Sequence, residues 1–216
     1  MTSSFYTLML LTNQQDIPLK DYLAFITACA TAGVTSVQLR EKRKTRQERL
    51  LFGQHLKACL DPLHIPLLIN DDIDLAVALD ASGVHLGQTD GDPRHAREVL
   101  GPHKYIGLSI DNESQLLQAN PLPIDYVGIG AIFPTANKSN ITTLWGLSGL
   151  EHIAPKSHHP IVAIGGITAH HIPQVMSSGA SGIAVIGALH DTKHPKQTTQ
   201  HLRQLIDTGD THHVDS

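Results

Sequence analysis

Asp71 and Asp90 each stand where a short apolar run stops: Leu67-Leu68-Ile69 leads into Asn70-Asp71, and Val84-His85-Leu86 runs through Gly87-Gln88-Thr89 to Asp90. Between the runs, Ile73, Leu75, Ala76, Val77 and Leu79 recur at helical spacing and Ser82-Gly83 ends the pattern, so the stretch reads as strand, helix, strand with an acid at each strand's exit. Parallel neighbours in a sheet lie about 5 Å apart, which lets both carboxylates face one small volume. Two such groups repel unless a positive charge sits between them, and Mg2+ is typically held by one or two carboxylates plus phosphate oxygens of a substrate. The competing reading is helix capping. Asp71 or Asp72 could cap the first helix, whereas Asp92-Pro93 already supplies a cap and a first-turn proline for the next one and leaves Asp90 free.

Other strand exits carry matching groups. In Gln38-Leu39-Arg40-Glu41-Lys42 the period of two sends Gln38, Arg40 and Lys42 one way and Leu39 the other. A guanidinium and an ammonium beside a metal suit a pyrophosphate, although a salt-bridge network around Arg40 and Glu41 is the plainer alternative. Ser109 offers a hydroxyl at the end of Tyr105 to Leu108. Tyr126 to Ile129 ends in Gly128-Ile129-Gly130, whose two glycines would let backbone and ligand come close, and Thr135-Ala136-Asn137-Lys138 brings polar heads and another cation. The segment up to Trp145 is long enough to be a lid or an idle loop. Gly165-Gly166 after one strand and Ile186-Gly187 after the next would expose backbone N–H groups to an anion. No cysteine or Ser-His-Asp arrangement announces a covalent nucleophile. The residues point to two phosphorylated groups in one site, and to transfer of an organic group from a pyrophosphate ester, a good leaving group once its charge is neutralised.

The elements that must position these residues alternate along the whole chain. Expected strands are Phe5 to Leu11, Ser36 to Leu39, Pro66 to Ile69, Val84 to Leu86, Tyr105 to Leu108, Tyr126 to Ile129, Ile161 to Ile164 and Ile183 to Ile186. Eight helices follow them, the last over Lys196 to Ile206. Ala32-Gly33-Val34, Ser82-Gly83-Val84 and Ser181-Gly182-Ile183 repeat a small residue and a glycine before a strand, as left-handed helix ends would. Eight strand and helix pairs within 216 residues imply an α/β fold, a single (β/α)8 barrel domain over residues 1–216 with a polar, frayed tail after about 207. A doubly wound open sheet would have a glycine-rich turn after the first strand, and none is present.

Composition narrows the partners. A net charge of −4 argues against nucleic acid despite the basic run at 40–46, and no apolar run approaches the roughly 20 residues of a membrane span. The first residues lack a secretory signal's basic start and cleavage site, which implies a cytoplasmic protein. Cys29 and Cys59 fall inside predicted helices and read as inert buried thiols, and most of the fifteen histidines read as surface residues. Nothing in the sequence fixes whether copies associate into a homo-oligomer.

The segments Gln38-Leu39-Arg40-Glu41-Lys42, Ile69-Asn70-Asp71, Gly83-Val84-His85-Leu86-Gly87-Gln88 with Asp90, Ile132-Phe133-Pro134-Thr135 and Ala163-Ile164-Gly165-Gly166-Ile167 together resemble the thiamin phosphate synthase family. The resemblance implies a barrel enzyme that joins hydroxymethylpyrimidine pyrophosphate to thiazole phosphate, both small phosphorylated substrates, with Mg2+ on Asp71 and Asp90. It implies pyrimidine pyrophosphate contacts from Gln38, Arg40, Lys42, Asn70, Ser109 and Lys138, in a motif that also contains Leu39 and Glu41. Thiazole phosphate contacts are implied from Thr135, Asn137, Gly166, Ile186 and Gly187, with Ala136 between the first two. Arg40, Lys42 and Lys138 are the implied catalytic cations. The family's second threonine is replaced here by Asn137, its frequent serine by Gly187, and the His or Thr side chains after Ser109 by Ile110-Asp111. A thiazole tautomerase of the same fold would carry a histidine where Ala131 stands, and a non-catalytic thiazole phosphate-binding regulator would keep the pocket without turnover.

Overall fold

Strand alternation divides the apolar residues into two sets, and the computed structural model, which describes residues 4–135 and 143–209, separates them into two cores. The strands are β1 (Leu8–Leu11), β2 (Ser36–Leu39), β3 (Leu67–Asn70), β4 (Gly83–Leu86), β5 (Tyr105–Ile110), β6 (Tyr126–Ile129), β7 (Ile161–Ile164) and β8 (Gly182–Val185). They pair in parallel, each with its sequence neighbours, and β8 closes on β1. Val37, Leu39, Val84, Ile106, Val127 and their equivalents face outward and pack against the helices. Met9, Leu11, Leu68, Tyr126, Val162 and Ala184 fill the barrel interior. This is the (β/α)8 barrel expected from the alternation.

The helices are α1 (Leu19–Ala32), α2 (Arg46–Leu60), α3 (Ile73–Ala78), α4 (Pro93–Leu100), α5 (Glu113–Ala119), α6 (Gly146–Ile153), α7 (Ile172–Ser177), α8 (Gly187–His190) and α9 (Pro195–Gly209). The four-residue α8 was not expected from the sequence, because one turn is too short to show a period. The first strand is shorter than expected. Phe5 lies before β1 and stacks on Tyr105 with ring centroids 3.7 Å apart, closing the base of the barrel.

The repeat of glycines before strands has a different basis from the one its spacing suggests. Of Gly33, Gly83 and Gly182, only Gly33 is left-handed (φ 132°). At four of the joints the left-handed residue is Gly33, His64, Asp80 or Gly179, each three positions before the first residue of a strand. Each is followed by the same hydrogen bond across the helix end, from the N–H of Val34, Ile65, Ala81 and Ala180 to the carbonyls of Cys29, Leu60, Ala76 and Val175. Gly83 and Gly182 instead lack side chains because a Cβ there would collide with the carbonyls of Tyr105 and Tyr6 on the adjacent strand or its approach.

Candidate functional site

The inward-facing residues at the carboxyl ends of the strands line a cavity of about 1070 Å3. On β2 and its continuation the period of two holds: Gln38, Arg40 and Lys42 line the cavity. Leu39 does not; its side chain is buried in the layer between barrel and helices. Nor does Glu41, which turns away to accept a hydrogen bond from the Gln14 N–H at 2.9 Å and so ties the loop after β1 to the loop after β2. The side chains of these two members of the motif support the strand exit, because adjacent residues on a strand point to opposite faces. Arg40 is anchored by its own N–H, which donates to Thr12 Oγ1 at 2.9 Å. Burial lowers the pKa of its guanidinium, opposed by the nearby charges of Asp71 and Glu41.

Asp71 and Asp90 both line the cavity. Asp72, not Asp71, caps α3 by accepting from Leu75 N–H at 2.9 Å, and Asp92 caps α4 by accepting from Arg94 N–H at 2.8 Å. Asp71 holds a left-handed backbone (φ 68°), fixed by its N–H donating to the His85 carbonyl at 2.8 Å. A non-glycine residue in that region is strained by about 1 kcal/mol or more. Asp90 Oδ2 accepts from Gly87 N–H at 2.9 Å. The Asp71 carboxyl is pushed up to about 6, first by burial, then by its hydrogen bond with Asp90 and the charge of Asp90, against the opposing pull of Lys42. Among the described residues no group of three or more His, Cys, Asp or Glu could hold a metal. Two mutually repelling carboxylates open to a ligand-sized cavity nevertheless fit the donor set of Mg2+, which fills its other positions with water and substrate oxygens.

The floor of the cavity is a network of which sequence reasoning identified only the ends. His85 on β4 is buried inside the barrel; its Nδ1 meets Tyr126 Oη at 2.9 Å and its Nε2 meets Ser109 Oγ at 2.9 Å. Gln38 is also buried, its amide reaching Tyr126 and Met9 Sδ. Burial raises the Tyr126 phenol far above its usual range. Gly107 and Gly128 make room for these rings, since a Cβ at either would stand within 3 Å of His85. Gly130 likewise makes room for Ile164 and its carbonyl. Gly128 and Gly130, expected to let a ligand approach, line the cavity and also admit neighbouring side chains. His85 runs against the expectation of surface histidines; its signal was its place on the inward face of β4, in step with Gly83 and Gly87. His85→Ala is expected to lower stability by about 2–3 kcal/mol and turnover about ten- to a hundredfold, through the loss of order in Ser109 and Gln38. Urea unfolding and initial rates would test this; a stability loss with an unchanged rate would make the network purely structural.

The opposite wall is built from the loops after β6, β7 and β8. Gly165 (φ 98°) and Gly166 (φ 67°) are both left-handed. Phe133 N–H donates to the Gly165 carbonyl at 2.9 Å and Ile132 N–H to Ile164 at 3.0 Å, so the loop after β6 lies along the loop after β7. Its return is held by Trp145 N–H and Gly146 N–H donating to the Ala131 and Ile132 carbonyls at 2.9 and 3.1 Å. Thr135, Gly166, Ile186 and Gly187 line this wall, and Ser109 and Asn70 line the floor's edge. Of the predicted set, Ala136, Asn137 and Lys138 lie outside the described residues. His190, another histidine away from the surface, receives the Tyr22 hydroxyl at 2.8 Å on Nε2 and holds the Ile186 carbonyl with Nδ1 at 2.8 Å, and Tyr22 in turn accepts from Asn13 N–H.

Comparison with known proteins gives a consistent picture. The sequence profile of the family described as thiamine monophosphate synthase matches residues 8–189. The chain is similar to the thiamine-phosphate synthase of Chlamydia caviae, 51% identical over 209 residues, covering 97% of this chain and 99% of that one. It is also similar to that of Vibrio parahaemolyticus, 41% identical over 203 residues, covering 94% and 98%. Among solved structures, the thiamine phosphate pyrophosphorylase from Pyrococcus furiosus superposes with a TM-score of 0.84 at 29% identity, covering 95% of this chain and 97% of that one.

Proposed function

The chain belongs to the thiamine monophosphate synthase family, and on that premise we propose that its barrel mouth joins hydroxymethylpyrimidine pyrophosphate to thiazole phosphate, releasing pyrophosphate and giving thiamin phosphate. The observation that carries this reading is the meeting, in one cavity, of the Asp71 and Asp90 pair with Arg40 and Lys42, opposite a glycine-lined wall of loops. The pyrimidine end fits the floor, where the amides of Gln38 and Asn70 and the hydroxyl of Ser109 are available to ring nitrogens and an exocyclic amine. Arg40 offers a planar fork and Lys42 a point charge to the pyrophosphate oxygens. Lys138 adds a third cation by family resemblance.

Asp71 and Asp90 would hold Mg2+, which when bound supplies positive charge to neutralise the departing pyrophosphate. The bond from the pyrimidine methylene carbon to the pyrophosphate oxygen breaks first, its electron pair leaving with pyrophosphate. The resulting cation, stabilised by the pyrimidine ring, is captured by the thiazole nitrogen lone pair. Arg40 and Lys42 stabilise the leaving group and need take no proton. Thr135, Gly166, Ile186 and Gly187, with Asn137 by family resemblance, hold the thiazole's phosphate tail so that its nitrogen faces the pyrimidine. No described helix is long and apolar enough to cross a membrane, and a cytoplasmic setting belongs to the same reading.

The test is direct. Purified protein with both substrates and Mg2+ is expected to form thiamin phosphate and pyrophosphate in equal amounts, and a chelator is expected to stop it. Folded protein that binds thiazole phosphate yet yields no thiamin phosphate would overturn the reading.

A further inference from the structure

Hydrogen bonds from the Ile132 and Phe133 N–H groups to the Ile164 and Gly165 carbonyls fix those two residues, and the chain beyond them brings Thr135 to the cavity wall. The Phe133 ring is met by one from α7's approach. The His171 imidazole lies over the Phe133 ring with centroids 4.0 Å apart and planes 22° from parallel. His171 is itself held: its Nδ1 is 3.2 Å from both the N–H and the hydroxyl of Thr168, in a capping box at the turn 169–171. Behind Phe133, a Cβ on Gly166 would stand 2.8 Å from the Phe133 Cβ. Phe133 is thus gripped between the glycine turn after β7 and the imidazole of His171, two residues before Thr135. Thr168 also lines the cavity, so the turn that fixes His171 borders the same space.

We propose that His171 is a positioning residue for the acceptor: by stacking on Phe133 it sets the path of residues 133–135 and hence the fit of the thiazole phosphate, without touching that phosphate. The inference rests on the functional reading above. Stacked aromatic pairs contribute beyond their buried area, and losing the stack frees the Phe133 side chain and the two residues that follow. The pyrimidine side, on β2 to β5, makes no use of it. The effect is therefore confined to one substrate.

Two substitutions separate the two jobs of the ring. His171→Asn keeps an acceptor where Nδ1 stands and removes the stack; His171→Phe keeps the stack and removes the cap. His171→Asn is expected to raise KM for thiazole phosphate about tenfold, with kcat and KM for the pyrimidine pyrophosphate within twofold of wild type. His171→Phe is expected to melt at a lower temperature but keep the wild-type acceptor KM. An unchanged acceptor KM in His171→Asn, or an equal rise in both variants, would overturn the proposal. Calorimetric titration of thiazole phosphate onto each protein reads the same tenfold difference without turnover. A wild type that binds the acceptor but makes no thiamin phosphate would then count against the functional reading alone, while the Kd ratio still decides the role of His171.

Discussion

Asp71→Asn and Asp90→Asn are each expected to lower kcat/KM by about a thousandfold, equivalent to about 4 kcal/mol of lost transition-state stabilisation, while leaving the barrel folded. The same Asp71→Asn change is expected to stabilise the metal-free protein. The Asp71 carboxyl is raised from its ordinary 3.8 to about 6 by burial and Asp90. A raised carboxyl contributes stability that is fully present below the ordinary value and is lost as pH rises through the raised one. Above pH 6, with the Asp71 carboxyl ionised, wild type is therefore the less stable protein, by about 1–2 kcal/mol after allowance for solvent screening at this partly open site. At pH 4 the difference vanishes. Mg2+ binding only the folded, ionised pair should reverse it at pH 8 by mass action and act weakly at pH 5. Urea unfolding of wild type and Asp71→Asn at pH 5 and 8, with and without Mg2+, reads all of these. A wild type whose stability ignores both pH and Mg2+ would remove the metal from this pair, whatever the kinetics.

That one pair carries opposite consequences for stability and activity is what a functional site built on a stable scaffold predicts. The scaffold resists the strain because the Asp71 backbone is tied by its N–H to the next strand and the Asp90 carboxylate by the Gly87 N–H, which keeps both acids at the mouth. The alternation that made the barrel legible in the sequence also made this pair legible. Leu67-Leu68-Ile69 and Val84-His85-Leu86 read as strands because a parallel sheet is buried on both faces, and the polar residue at each exit marks the mouth. The same period of two sorted Gln38, Arg40 and Lys42 from Leu39. It also applied to Glu41, which as an odd member of the alternation turns to Gln14, although the motif had carried it into the site.

Long-range geometry was illegible. Nothing in the order of residues tells that Gly107 and Gly128 are absences filled by the rings of His85 and Tyr126, because those contacts span tens of residues. A glycine in a strand looks the same whether it admits a ligand, a neighbouring side chain or a neighbouring backbone. The three glycines before strands showed this most clearly: the spacing suggested one kind of joint, but Gly83 and Gly182 answer to carbonyls of Tyr105 and Tyr6, while His64 and Asp80 take left-handed positions that composition would assign to glycine. The helix-end hydrogen bond, rather than the residue type, is what repeats.

Gly166 is where both demands, left-handed backbone and close approach, fall on one residue, and Gly166→Ala is accordingly expected to have the second largest effect. Its φ is 67°, and a Cβ would stand 2.5 Å from the Pro134 carbonyl oxygen and 2.8 Å from both the Cβ and the carbonyl oxygen of Phe133. Two of those atoms belong to backbone, so relief requires moving the loop after β6 away from the loop after β7. The change should lower stability by about 2–4 kcal/mol and raise KM for thiazole phosphate about a hundredfold, with KM for the pyrimidine pyrophosphate within threefold. Gly101 separates strain from displacement. It is also left-handed, at φ 83°, but a Cβ there would meet nothing within 4 Å. Gly101→Ala should therefore lower stability by only about 1 kcal/mol and leave both KM values unchanged. If Gly166→Ala behaves like Gly101→Ala, differing from wild type only in melting temperature, the wall formed by these two loops does not hold the acceptor, and Thr135 and His171 lose their assigned roles with it.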